Sequence, residues 1–533
     1  MEGFLLIAAV LAFASLWACK AGYKFGVPIL LMFLFTGMLF GDGGLQLIMF
    51  DNFETASTIG TVALCVILFS GGMDTKFADI RPVLTQGIIL ATVGVALTAV
   101  ITGFVIKGVF DLMLGRTLGI AACLLLASTM ASTDSASVFS ILRSQNLNLK
   151  NKLRPLLESE SGSNDPVAYI MTVTLIGIVK QGDSVEYSSV VLDIVIKLVM
   201  GGLSGFLVAK LFVAALNKLN IDNASLYPIA VLSGCLFIFS VSYFVGGNSY
   251  LAVYIGGLVI GNSNFVHKRA TINFFDGMTW LFQLIMFLTL GLLVSPKELL
   301  PTIIPGIVIS VVMILIARPA SVFLCLAPFK RSFREKVFIS WVGLKGAAPI
   351  IFAIMLLTAG TPGAGKQFNI VFMCTLISLL IQGTTLSWMA KKLNLIEETD
   401  ELSQPKNFDL EFSDDIKSVT TEIKITQADI DERGRFIKDM PFPENTLVVM
   451  VKRGGRYFVP KGRTELFDGD NLLLITDDKD VLMKTLNASG ISYNNIKTEK
   501  IENNSIIDDI KSVSPVDSIK KTVEKTVDKI IGK

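Results

Sequence analysis

The chain has 533 residues, 52% hydrophobic and only 17% charged, with 47 Lys and Arg against 45 Asp and Glu. Soluble domains carry about 25% charged residues, so this composition excludes an ordinary soluble protein. A net charge of +2 without a sustained basic stripe leaves no footprint for nucleic acid.

The apolar residues dominate positions 1–390, while 391–533 are rich in Lys, Asp and Glu. Met1-Glu2 lacks the basic start of a cleaved signal, so the first apolar run is expected to span the membrane. A bilayer core of ~30 Å needs about 20 apolar residues per helix. Runs near 4–19, 27–41, 58–72, 86–107, 118–141, 164–180, 191–216, 225–246, 250–262, 272–294, 302–327, 337–359 and 367–390 predict an α-helical polytopic membrane protein with about 13 transmembrane helices. Lys and Arg crowd alternate loops: Lys20 and Lys24, Lys76 and Arg81, Arg143 to Arg154, Lys218, His267-Lys268-Arg269, Lys330 to Lys336, and Lys391-Lys392. The opposite loops carry Asp42, Asp51, Glu54, Asp183 and Glu186, with few basic residues (Lys107, Arg116, Lys180, Lys297 and Lys366). This bias places the N-terminus outside and the C-terminal domain in the cytoplasm. Six cysteines stand singly, at Cys19, Cys65, Cys123, Cys235, Cys325 and Cys374, without zinc or disulfide spacing. His267, the one histidine, falls in an expected loop, which excludes a histidine relay within the membrane.

Ionisable residues inside the runs are few. The fifth run contains Ala131-Ser-Thr133-Asp134-Ser-Ala-Ser137, too polar for a lipid-facing helix and suited to an unwound segment lining a cavity. Glu158-Ser-Glu-Ser-Gly-Ser-Asn-Asp165-Pro166 precedes the apolar run Val167–Val179. It is expected at the start of a helix, with Asp165 facing a cavity; read locally, the same residues are a helix cap followed by proline. Arg318 lies deep in the eleventh run, and Lys345 in the Gly- and Pro-broken Gly343-Leu-Lys345-Gly346-Ala-Ala-Pro349 of the twelfth. With the seventh run as a linker, the fifth and twelfth occupy equivalent places in two halves. Matched interruptions point to a transporter site between inverted repeats; each alone reads as a packing kink. An unpaired buried charge is costly, so one cation, Arg318 by preference, is expected to hold Glu160. Asp165 is then free to alternate between a proton and a metal ion, and Ser161 and the Thr133-Asp134 region add oxygen donors suited to hard cations.

Ser132-Thr-Asp134, Glu160-Ser-Gly-Ser-Asn-Asp165, Arg318 and Trp341-Val-Gly-Leu-Lys-Gly-Ala-Ala-Pro349, in this order, closely resemble the NhaP-type monovalent cation:proton antiporters over residues 1–392. The resemblance implies thirteen helices, two unwound helices crossing at mid-membrane, and homodimers with an elevator-like motion in a bacterial plasma membrane. It implies that Asp165 binds cation and proton by turns, and that Ser161, Thr133 and Asp134 complete the ion site. It also implies that Glu160 pairs with Arg318, and that Asn164 bridges the unwound helices. Relatives with two aspartates at the Asn164-Asp165 position tend to move two protons; one carboxylate here suggests electroneutral exchange. Ser70 and Lys345 depart from the acid and the arginine usual in the family.

After a polar linker (393–414), alternating apolar residues predict strands at Ile416–Ile425, Thr446–Lys452, Tyr457–Pro460 and Asn471–Ile475, a small α/β or mostly-β module over 415–490. Gly462-Arg-Thr-Glu-Leu-Phe-Asp-Gly-Asp470 resembles the TrkA C-terminal (RCK-C) domain, which implies regulation of potassium transport, in some relatives through a ligand such as a cyclic dinucleotide; a ligand-free dimerisation module is the other reading. That module favours K⁺ over Na⁺ as cargo. The tail, 491–533, carries Val516, Ile519, Val523, Val527 and Ile530 at helical spacing, fitting an amphipathic helix or a loosely ordered segment. No resident cofactor is expected. A ligand-gated potassium channel is the competing reading, but no TVGYG-like filter is present. An enzyme would need a nucleophile–base pair or a phosphate loop, and neither is visible.

Overall fold

A computed structural model describes residues 6–397, with gaps at 7–8, 18–19, 21–27, 42–43, 49, 114–117, 146, 183–185 and 220–222. It also describes residues 419–494, with gaps at 444, 454–455, 477–480, 483 and 486–492. The chain divides into two compact units, Met1–Glu398 and Thr399–Lys533. Most of the expected linker, the first residues of its following strand, and the tail's helical pattern lie outside the described residues.

The first unit is helical. After a short helical stretch at 9–17 come α1 (Ile29–Phe40), α2 (Phe53–Asp74) and α3, the continuous helical run Phe77–Leu112. The fifth apolar run is two half-helices, α4 (Ile120–Thr129) and α5 (Ser135–Ser144). There follow α6 (Leu153–Gln181), α7 (Tyr187–Leu216), α8 (Leu226–Phe244), α9 (Ser249–Gly261), α10 (Lys268–Leu292) and the helical run α11 (Pro296–Cys325). The twelfth run is again split, into α12 (Phe333–Trp341) and α13 (Ala348–Thr358), and α14 covers Ala364–Lys392. Among the described residues, seven helices are long and apolar enough to cross a membrane. The shorter apolar helices include α4 and α13, one from each split pair, so their inner ends must find partners within the protein.

The sequence expectation fails at α6. Glu158 to Pro166 do not begin a helix; α6 starts at Leu153, after Asn151 and Lys152 in the left-handed region. An apolar-run count misses three turns because Ser159, Glu160 and Asn164 are buried against protein, Glu160 paired with Arg318 and Asn164 with Thr133. Pro166 sits inside the helix, where it removes one backbone donor.

Close helix approach fixes much of the packing. A Cβ on Gly257 of α9 would stand 2.2 Å from Phe69 O of α2, and one on Gly72 of α2 would stand 2.4 Å from Tyr254 O. Only glycine lets these backbones touch. Helical runs α3, α11 and α14 each contain a π turn, at Leu90–Gly94, Met313–Ala317 and Leu379–Gly383. The Ser321 hydroxyl of α11 donates to Gly94 O at 2.7 Å, joining the first two.

The second unit is built on an antiparallel sheet ordered β3-β2-β4-β1-β5, from β1 (Val419–Lys424), β2 (Thr446–Arg453), β3 (Arg456–Phe458), β4 (Asn471–Thr476) and β5 (Tyr493–Asn494). The short helix α15 (Gln427–Arg433) opens with a capping box between Thr426 and Asp429. Ile423, Ile425, Ile430, Val451, Leu472 and Leu474 form its core. Arg453 pins the loop before β4: its Nε and Nη2 donate to both carboxylate oxygens of buried Asp470 at 2.9 and 2.7 Å, and Nη2 also donates to Glu465 O. The guanidinium stacks 4.2 Å from the Phe467 ring. The hydrogen bond from Arg453 to Asp470 and their attraction raise the guanidinium pKa further above its usual value. Asp470→Ala removes these bonds and the acceptor for Phe467 N. It is expected to lower local stability by about 1.5–3 kcal/mol, read as faster amide hydrogen exchange around Ile425 and Phe467 in the full-length protein.

Candidate functional site in the membrane unit

Two interrupted helices leave backbone N–H and C=O groups without helical partners, and inside a bilayer each must be met by protein. The two breaks meet each other directly: Asp134 N donates to Leu344 O at 2.8 Å. Lys345 of the second break reaches the first, its Nζ donating to Ser132 O at 2.8 Å. The ammonium thereby supplies a positive charge beside the carbonyl end of α4. Asp134 caps α5, accepting from Ser137 N at 3.1 Å and from the Ser137 hydroxyl. A Cβ on Gly346 would lie 2.5 Å from Asp134 Oδ2, so any side chain there must push the Asp134 carboxylate aside.

α6 completes the first break. Ser161 Oγ accepts from Ser135 N at 3.0 Å and donates to Thr133 O at 2.9 Å. Asn164 Nδ2 donates to Thr133 Oγ1 at 2.6 Å and to Thr133 O at 3.2 Å. α14 does the same for the second break. Ser378 Oγ accepts from Lys345 N at 2.9 Å and donates to Gln382 Oε1, while Gln382 Nε2 donates to Trp341 O at 2.8 Å.

Asp165 follows Asn164 and lines a cavity of about 40 Å³ together with Ser132, Thr133 and Asp134 of the first break. The opposite walls are apolar and come from Leu30 of α1, Leu64 and Ile67 of α2, and Met286 and Phe287 of α10, with Gln283 the one polar group there. A water needs about 10–15 Å³ of such space, so the cavity has room for a small cation with a partial water shell. A turn earlier on α6, Glu160 accepts from Arg318 Nη2, with side chains 1% and 4% exposed. Arg318 follows the π turn of α11 and packs against Gly343 of the second break, where a Cβ would come within 3.0 Å of its Nε.

The family profile described as "Sodium/hydrogen exchanger, transmembrane" matches residues 7–392. The chain belongs to the transmembrane sodium/hydrogen exchanger family. The K(+)/H(+) antiporter NhaP2 of Shewanella sp. strain MR-4 is 39% identical over 90% of this chain and 82% of its own length. The K(+)/H(+) antiporter NhaP of Alkalimonas amylolytica is 38% identical over 73% of this chain and 67% of its own. The solved structure of the sodium proton antiporter MjNhaP1 from Methanocaldococcus jannaschii superposes with a TM-score of 0.63, covering 73% of this chain and 99% of that one at 23% identity, a likeness of fold. The TrkA-C domain profile matches residues 433–486.

In this exchanger-family chain the residues singled out from sequence gather at one place, with distinct contacts. Thr133, Asp134 and Asp165 line the cavity, whereas Ser161 and Asn164 hold the backbone of the break behind it. Glu160 and Arg318 form a separate buried pair, and Lys345 serves the α4 end. Ser70 is buried and is not among the residues lining the cavity. Sequence reading missed Ser378, Gln382 and Gln283. The first two carried a signal: polar residues four apart in an apolar helix share one face, and Ser378 and Gln382 fit that spacing.

Removing one member of a buried ion pair costs about 3–5 kcal/mol. Arg318→Met is therefore expected to lower the thermal midpoint of the detergent-solubilised protein sharply, and Glu160→Leu in the same chain to restore part of it. Gly346→Ala should instead leave expression intact and cut transport at least about tenfold, since moving Asp134 by an ångström misplaces the site, measured as vesicle proton exchange.

Proposed function

We propose that this chain is a secondary active antiporter that exchanges a monovalent cation, K⁺ in preference to Na⁺, for H⁺ by alternating access. The observation that carries this reading is the cavity: Asp165 together with Asp134, Ser132 and Thr133, set between the two breaks on one side and α1, α2 and α10 on the other. Cation and proton compete for Asp165, so each turn of the cycle carries one or the other. The names of the 38–39% identical relatives support K⁺ as cargo. With Asn164 beside Asp165, one carboxylate titrates, and the exchange is electroneutral, one proton for one cation.

The wider expectations belong to the same reading. Thirteen spans arranged as inverted repeats place the N-terminus outside and the C-terminal unit in the cytoplasm, in a bacterial plasma membrane. The protein works as a lipid-embedded homodimer, without a resident cofactor, and performs no covalent chemistry on its cargo. The TrkA-C-like unit regulates transport, and a cyclic dinucleotide is the class of ligand to test. Arg453 is committed to Asp470, so ligand recognition falls to other residues.

Reconstituted protein should exchange K⁺ for H⁺ at a rate insensitive to clamped membrane potential, and a net current driven by an imposed K⁺ or H⁺ gradient, reversing at a voltage set by that gradient, would defeat the one-to-one cycle. Asp165→Asn should abolish exchange while the protein still folds. Because protonation removes the cation-binding form, the half-saturating K⁺ concentration should rise about tenfold per pH unit below the carboxylate's pKa and level off above it.

A further inference from the structure

The last described residues of the first unit leave α14 and pair with the loop between α5 and α6. Asn394, in the left-handed region, turns the chain back at the end of α14. Leu149 and Ile396 then face each other in an antiparallel bridge. Lys150 N donates to Leu395 O and Glu397 N to Asn148 O, both at 2.9 Å. Leu149 and Leu395 are buried beneath this pairing, so it is packed as well as hydrogen-bonded.

The elements stapled here are those that build the ion site. α5 carries Asp134 at its cap, α6 carries Ser161, Asn164 and Asp165, and α14 carries Ser378 and Gln382. The same loop is gripped from its other side: Asn151 donates to Glu335 Oε1 at 2.6 Å, and Arg331 Nη1 to Asn151 O at 2.8 Å, both partners standing at the entry to α12. From Leu153 to Asp165 is about 18 Å of continuous helix at 1.5 Å per residue, rigid enough to carry a displacement of the loop to the carboxylate. The polypeptide that forms one strand of the staple also runs on to the second unit.

We propose that the Leu395–Glu397 strand is a positioning element for the ion site, and that the C-terminal unit acts on transport by tightening or releasing its pairing with Asn148–Lys150. This rests on the antiport reading above. The strand touches neither cation nor proton. It sets the spacing of α5, α6 and α14, and through them the balance between cation and proton at Asp165.

The test uses full-length protein in proteoliposomes, with exchange measured over a pH series and a K⁺ series. Glu397→Pro deletes the donor to Asn148 O, in an extended stretch that tolerates proline; Glu397→Ala keeps the donor and loses only an exposed side chain. Glu397→Pro should shift the half-saturating K⁺ concentration, and with it the pH profile, by about threefold or more, with Glu397→Ala unchanged from wild type. Lys150→Pro, which removes the other bond from the opposite strand, is the independent variant if Glu397→Pro does not reach the membrane. Leu149 and Ile396 form a non-hydrogen-bonded pair, whose Cα atoms stand about 4.5 Å apart and suit a disulfide. Leu149→Cys with Ile396→Cys, oxidised in the Glu397→Pro background, should return the profile to wild type, and reduction should undo the rescue. A Glu397→Pro profile that superimposes on wild type, an equal shift in Glu397→Ala, or a disulfide that forms without rescue would each overturn the inference. A wild-type protein that exchanges no cation for protons would instead defeat the antiport reading.

Discussion

Everything in the membrane unit follows from one constraint: two helices stop inside a low-dielectric interior, and their exposed backbone groups must all be met there. Each break borrows from the other, through Asp134 N to Leu344 O and Lys345 Nζ to Ser132 O. Each also borrows from a continuous helix beside it. Ser161 on α6 and Ser378 on α14 play one chemical part, accepting the N–H of the residue that follows or sits within the break. Asn164 and Gln382 then hold carbonyls at Thr133 and Trp341. The correspondence is what two inverted halves would produce, since the same unwinding creates the same orphan groups.

This satisfaction sorts the charges. Buried Glu160 and Arg318 neutralise one another, and Lys345 and Asp134 complement helix ends, where opposite charge is favourable. Asp165 belongs to neither arrangement and lies on the cavity wall. A buried ion pair is weak evidence for stability taken alone, because desolvation offsets most of the attraction. Here Arg318 also packs against Gly343, so the pair fixes the position of the second break relative to α6.

The two units solve the problem of buried polar groups differently. In the second, water is near, and one bidentate arginine with a stacked ring holds the loop ahead of β4. In the first, no single residue suffices, and hydroxyls, amides and backbone groups share the work across five elements. A substitution at Ser161 or Gln382 therefore disturbs the backbone of a break from the helix packed beside it.

Sequence by itself determined that the chain spans a membrane, that two distant segments are broken, and which carboxylates and cations lie at depth, because apolar run length and misplaced charge are local properties. It also carried the strand pattern of the second unit at Thr446–Arg453 and Asn471–Thr476, where alternation and Gly turns are written in neighbouring residues. The start of α6 was not legible: Glu158 to Pro166 look like a boundary by hydropathy, yet their polar faces are paired with residues far away in the chain. Tertiary structure alone decided that Asp134 caps a helix while lining the cavity, that Ser378 and Gln382 support the second break, and that a Cβ on Gly346 would push the Asp134 carboxylate aside. Those outcomes depend on which atoms approach one another across the chain, 33 and 41 positions apart at Ser378 and Gln382 and 212 at Gly346, and local sequence can show polar spacing but not which segment it meets.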